Sequence, residues 1–228
     1  MYEQLKKNTV KADNQIKVGN HIVITNSNGK GSRVMFLGNS ITLHAYKPEI
    51  GWHGQWGMAA SCEEKDYVHL MMDKINEVND DPAFCVCQTS YMELHYKEDY
   101  DLQSRYEAAA DFGADIIVLR IIENCKADVF DGEKFIFAME DLFKYLDKSG
   151  KAKFIITSSF WNHPGDKYLA EFAEKNNYPF VKINDLGEDD SMKAIGLFEH
   201  KGVANHPGDL GMKMIAERIF DAMKDYLD

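Results

Sequence analysis

Five short apolar runs recur along this chain: Val34-Met-Phe-Leu37, Phe84-Cys-Val-Cys87, Ile116-Ile-Val-Leu119, Phe154-Ile-Ile156 and Phe180-Val-Lys-Ile183. They lack the apolar/polar alternation of a half-exposed strand. Consecutive apolar positions suit strands covered on both faces, as in a parallel sheet between helices. The intervening segments carry a helical period: Tyr67, Leu70, Met71, Ile75 and Val78; Leu102, Tyr106, Ala109 and Ala110; Phe135 to Leu146; Leu169, Phe172 and Ala173; Met212 to Leu227. Ser61, with Glu64 three residues on, predicts a capping box at the first helix, and Gly113 and Gly150 are expected to close the second and third. Five strands alternating with five helices predict an α/β fold, a three-layer α/β/α sandwich around a five-stranded parallel sheet.

Residues 1–31 read differently. They are polar, with alternating pieces at Gln15-Ile-Lys-Val18 and His21-Ile-Val-Ile-Thr25, and an Asn28-Gly29 turn signal precedes the first core run. That pattern predicts a small N-terminal β-ribbon over 1–31, which packs on the domain or joins a second copy in a homo-oligomer. The remainder, 32–228, is one α/β domain, as the size prior of about 100–200 residues per domain suggests.

Charge removes several function classes. Lys plus Arg number 26 against 37 Asp plus Glu, a formal net charge of −11, whereas proteins that grip phosphate backbones or anionic membranes present a basic face. No nucleic-acid or membrane partner is expected. No apolar stretch approaches the ~20 residues of a membrane span, and the N-terminus has no signal-peptide core. The chain as written is expected in the cytoplasm, or in the periplasm or outside the cell if a signal peptide has been removed. Cys62, Cys85, Cys87 and Cys125 lack a second pair at zinc spacing, so reduced structural thiols and no metal are expected. Phosphate-binding and dinucleotide-binding glycine loops are absent from the sequence, and no cofactor is expected.

Ligands of such sheets bind beyond the carboxyl ends of the strands. There the sequence places Gly38-Asn39-Ser40-Ile41-Thr42 after the first core run, Glu123-Asn124-Cys125 after the third and His206-Pro207-Gly208-Asp209 before the last helix. Each has an ordinary reading, as a helix-capping serine, a loop asparagine and a surface histidine. In this order they resemble the SGNH, or GDSL-type, hydrolases over roughly residues 33–227. In that family a Gly-Asp/Asn-Ser motif follows the first strand, an asparagine follows the third and a His-Pro pair precedes the final helix. The resemblance implies a flavodoxin-like SGNH hydrolase fold with 32–228 as its catalytic domain, and a serine esterase in which Ser40 attacks and His206 is the base. The Ser40 N–H, the Asn124 side chain and a donor near Ser90 would form the oxyanion hole.

Three positions depart from the family pattern. Val203 stands where an aspartate usually precedes the histidine by three residues, so the resemblance implies a Ser-His dyad steered by a backbone carbonyl, that of Val203 being the first choice. Glu199, Glu123 and Asp209 are the alternative acids. Ile122-Glu123-Asn124-Cys125 stands for Gly-x-Asn-Asp. Gln88-Thr89-Ser90-Tyr91 has no glycine where the family uses one as a donor, leaving Ser90 or a neighbour, or Gly57 in the earlier loop, to supply that N–H.

The loop from His44 to Gly57 is rich in aromatics. Trp52 and Trp56 either stack on a sugar ring or bury the loop, and Trp161 after the fourth run raises the same pair of readings. With Asn39 and Glu123, these two tryptophans are the expected substrate-binding residues. The expected reaction is removal of a short acyl group, such as acetate, from a carbohydrate. A lipid or thioester acyl hydrolase and a catalytically weakened glycan-binding protein are the alternatives.

Overall fold

The computed structural model describes residues 21–98 and 101–227. Its strands are β1 (Ile22–Thr25), β2 (Arg33–Gly38), β3 (Ala83–Gln88), β4 (Ile116–Arg120), β5 (Lys153–Thr157) and β6 (Phe180–Val181). They form one sheet in the order β1-β3-β2-β4-β5-β6, parallel throughout except for β1, which runs antiparallel to β3 with Ile22 opposite Cys87.

The pleat explains why the core runs are apolar at every position. Val34, Phe36, Val86, Val118 and Ile155 face one layer, formed by α1 (Tyr67–Val78) and α7 (Asp209–Met223). Met35, Leu37, Cys85, Cys87, Leu119 and Ile156 face the other, formed by α3 (Leu102–Phe112), α4 (Gly132–Leu146) and α5 (Asp166–Asn176). The sandwich is thus three-layered, and the four cysteines are free thiols. Two short helices, α2 (Ser90–His95) and α6 (Lys201–Ala204), complete the set among the described residues. No described helix is long and apolar enough to cross a membrane.

Three expectations change. The sheet has six strands, because residues 22–25 pair with the open edge of β3 instead of forming a ribbon with the first core strand. Asn26 to Gly29 does turn, with the Gly29 N–H on the Asn26 carbonyl at 2.8 Å, but the chain then passes β3 to reach β2 in the sheet interior. The ribbon reading of residues 1–20 lies outside the described residues. Helix α1 begins at Tyr67, where the Asp66 carboxylate accepts the His69 N–H at 2.7 Å. Ser61 is no cap; its hydroxyl donates to Asp209 at 2.7 Å.

Candidate active site

Counted from β2, the parallel strands run in the doubly wound order whose crevice opens where the winding reverses, between the ends of β2 and β4. Gly38, Gln88 and Arg120 stand in register across β2, β3 and β4, and the chain leaves the sheet just beyond them. A side chain at Gly38 would overlap Thr42 Oγ1 and come 2.8 Å from the Arg120 carbonyl, so only glycine allows so tight an exit. The turn is closed by the Thr42 and Leu43 N–H groups on the Asn39 carbonyl at 2.9 and 3.0 Å. It leaves Ser40 half-buried at the lip of the crevice.

His206 reaches Ser40 from the loop before α7. Its Nε2 lies 2.8 Å from Ser40 Oγ, while its Nδ1 donates to the Gly202 carbonyl at 2.7 Å. That second bond fixes the tautomer, because Nδ1 must carry the proton and Nε2 is left as an acceptor for the serine hydroxyl. The orienting carbonyl is that of Gly202, not Val203, whose oxygen accepts the His206 main-chain N–H at 3.0 Å. Burial pulls the imidazole down to about 4, only partly opposed by the Gly202 carbonyl, with Arg120 and His44 pulling the same way. The alternative acids are engaged or exposed. Asp209 holds Ser61 and Lys65, Glu123 is paired with Arg120, and Glu199 is exposed. Trp161 meets the imidazole edge to face at 5.1 Å and is anchored through Nε1 to the Asn205 carbonyl at 3.2 Å.

Beneath Ser40 lies a buried polar network. Asn39 Nδ2 donates to Glu93 at 3.0 Å and to Glu123 at 2.6 Å, and Asn39 Oδ1 accepts from Arg120. Arg120 also bonds Glu123 at 2.5 Å, and the Phe160 N–H reaches the same carboxylate at 2.9 Å. Glu93 accepts from Asn39, from the Ile122 N–H and from Asn124 Nδ2 at 2.6 Å. Burial and the neighbouring Glu123 raise Glu93 to about 7. Glu123 moves the other way: burial alone would raise it, but Arg120, the Phe160 N–H and Asn39 outweigh burial and lower it.

The predicted residues fall into two groups. Ser40, His206, Asn124 and Ser90 gather around the crevice, Asn124 Nδ2 lying 3.2 Å from Ser90 Oγ. Trp52 and Trp56 do not: they are 0% and 1% exposed, pack on each other at 5.5 Å and donate through Nε1 to His44 and Ala60 carbonyls. They bury the loop and offer no face to a substrate. Asn39 and the Glu123 side chain are likewise enclosed in the network and position the Ser40 turn. The Ser90 N–H donates to Gln88 Oε1 at 3.0 Å and the Gly57 N–H to Asp66 at 2.8 Å, so these two main-chain donors are engaged within the protein.

Ile122 has φ of 105°, a left-handed value that suits glycine and strains a β-branched residue. The sequence aligns it with the glycine expected in a Gly-x-Asn-Asp block, and a positive φ is the conformation a glycine would take there without strain. Its Cδ1 takes the space that a side chain at Gly165 would need, and its N–H is held by Glu93.

Arg120, Glu93, Gln88 and Gly202 were not read from the sequence as site residues. Arg120 had a signal, a charge between Leu119 and Ile121-Ile122 with an acid three residues on. Glu93 had none, because six-residue α2 is too short to show a helical period.

No family model matches the sequence, and no curated protein does either. Solved structures do match. The psychrotrophic esterase EstA from Pseudoalteromonas sp., in a structure inhibited by monoethylphosphonate, superposes with TM-score 0.57 at 13% identity, covering 86% of this chain and 98% of that one. A member of the lipolytic G-D-S-L family from Veillonella parvula gives 0.50 at 13%, covering 85% and 98%. A two-domain esterase active on acetylated mannans gives 0.55 at 16%, covering 88% of this chain and half of that one. At these identities the likeness is one of fold.

Proposed function

With the fold of the SGNH hydrolases as premise, we propose that the protein is a serine ester hydrolase working through Ser40 and His206. The observation that carries this reading is the Ser40 Oγ to His206 Nε2 hydrogen bond with Nδ1–H held on the Gly202 carbonyl. A serine hydroxyl needs an adjacent base to attack. As Ser40 Oγ bonds to the ester carbonyl carbon, its proton passes to Nε2 and the carbonyl π pair moves onto oxygen. Collapse expels the alcohol, which takes the proton from Nε2, and water then releases the acid from the acyl-enzyme by the same steps. The Ser40 N–H meets the oxyanion, flanked by the Asn124 side chain, whose two N–H groups are engaged by Glu93 and Ser90 Oγ.

The substrate read from the site is a short acyl ester on a carbohydrate. Trp161 beside His206 supplies an aromatic wall, and the solved neighbours include an esterase active on acetylated mannans. A longer acyl chain is the second reading. Ile195 and Leu197, about half exposed, lie on the loop whose Ala194 N–H bonds the His206 carbonyl at 2.9 Å.

A series of p-nitrophenyl esters from acetate to octanoate, run with acetylated sugars, separates the two readings; hydrolysis is expected to be fastest on acetate. A fluorophosphonate probe is expected to label Ser40. A folded protein that hydrolyses no ester and takes no label is a glycan-binding homologue or something else, and not an esterase.

The site also sets a pH dependence. His206, drawn down to about 4, is a free base throughout the neutral range. Glu93, raised to about 7, is ionised above that pH, and its carboxylate then fixes the Asn124 amide with N–H toward Glu93 and Ser90. Protonated Glu93 donates instead, which lets the amide turn its oxygen inward. Glu123, Arg120 and Cys125 are the other titratable or charged groups acting on or near Glu93. Activity is therefore expected to rise with pH through about 7. Glu93→Gln fixes the protonated pattern, and its profile is expected to be flat from about pH 5 to 8 at the low level. A wild-type acid limb near 4, unmoved by Glu93→Gln, would assign control to His206 alone.

A further inference from the structure

We propose that the side-chain hydroxyl of Ser90 is the oxyanion donor supplied from the end of β3, in place of a main-chain N–H. The inference rests on the esterase reading above and goes beyond it by assigning the donor that the second block lacks. A serine hydroxyl has two acceptor lone pairs and one proton. Gln88 Nε2 donates to Ser90 Oγ at 2.6 Å and Asn124 Nδ2 at 3.2 Å.

Both amides are oriented by other bonds. The Ser90 N–H donates to Gln88 Oε1 at 3.0 Å, and Asn124 Nδ2 donates to the Glu93 carboxylate at 2.6 Å. With both lone pairs occupied by N–H groups, the Ser90 proton must point away from them, and no described group accepts it.

The residue is placed for this role. Gln88 lies opposite Gly38, so Ser90 and Ser40 leave neighbouring strands two residues past the same row. Thr89 clamps the two strand ends, its N–H on the Gly38 carbonyl at 2.6 Å and its hydroxyl on the same oxygen at 3.1 Å. Ser90 is half-buried and not sealed in the core. Two N–H donors on one hydroxyl oxygen also polarise its O–H, making it a stronger donor toward a developing negative charge.

The test is a set of variants assayed on p-nitrophenyl acetate. Ser90→Ala is expected to lower kcat by about 10²–10³-fold with KM little changed, since the bond forms only as charge develops on the carbonyl oxygen. Ser90→Gly, which keeps the main-chain N–H, is expected to lose as much, and Ser90→Thr, which keeps the hydroxyl, to stay near wild type. In an Asn124→Ala background, Ser90→Ala is expected to lower kcat further.

Wild-type kcat in Ser90→Gly would return the role to the backbone. No further loss in the Asn124→Ala background would reduce Ser90 to orienting Asn124. A wild-type protein that hydrolyses no ester and takes no fluorophosphonate label overturns the esterase reading itself, and that result is in hand before any variant is made.

Discussion

Ser40→Ala and His206→Ala are each expected to lower ester hydrolysis by about 10⁴-fold or more, with the double variant no slower than either single one. The two side chains act as one unit: without Nε2 the hydroxyl stays a neutral alcohol, and without the hydroxyl the base has nothing to activate. The partner on Nδ1 makes this unit unusual. Gly202 contributes a carbonyl dipole and no charge, at 2.7 Å. The imidazolium formed during attack is therefore stabilised less than one beside a carboxylate, and the intact dyad should be slower than an acid-assisted triad. Measuring kcat/KM on p-nitrophenyl acetate checks the prediction. A His206→Ala variant within about tenfold of wild type would remove the histidine from the mechanism.

Arg120→Met is expected to destabilise the fold by about 3–5 kcal/mol, the usual result of removing one partner from a buried ion pair. Arg120 is fully buried and bonds both Glu123 and Asn39. Its removal leaves Glu93 and Glu123 on either side of Asn39 with no cation between them.

The loss should depend on pH. In the wild type Glu123 is held low, so it contributes stability above its ordinary range that is lost on acidification. Without the guanidinium, burial and Glu93 push Glu123 up instead. The native state then binds more protons than the unfolded one, and stability falls as pH rises. Denaturant midpoints at pH 5 and pH 8 should differ more in Arg120→Met than in wild type, with pH 8 the worse. A variant equally stable at both would mean that the carboxylates are not coupled through Arg120.

The layers were legible because burial on both faces writes itself into the runs: Val34 to Leu37 is apolar at every position since the pleat sends alternate residues to different helical layers. The antiparallel edge was not, because the alternation of residues 21–25 suits any half-covered strand and does not name its partner. Ser40 and His206 were readable as motif residues, and the structure puts them in hydrogen-bond contact. Trp52 and Trp56 looked like a binding wall only because aromatic content does not reveal which way a loop folds. The Glu93 network was hidden for a physical reason too. It joins α2, the Ser40 turn and the end of β4 through side-chain bonds between residues 29 to 84 positions apart, and local periodicity carries no trace of such pairs.

Ile122 limits what this fold can become. Holding a branched residue at φ of 105° costs about 1–3 kcal/mol, and the residues that enforce it, Glu93 by its carboxylate and Gly165 by its missing side chain, are also those that shape the ground under Asn124. A lineage under selection for heat resistance would find an easy gain in relaxing this turn, and each such step would shift the amide beside the crevice. Thermal adaptation and turnover therefore draw on the same few atoms, so stabilising changes in this protein should accumulate elsewhere, on α1, α7 and the outer faces, and spare residues 120–125.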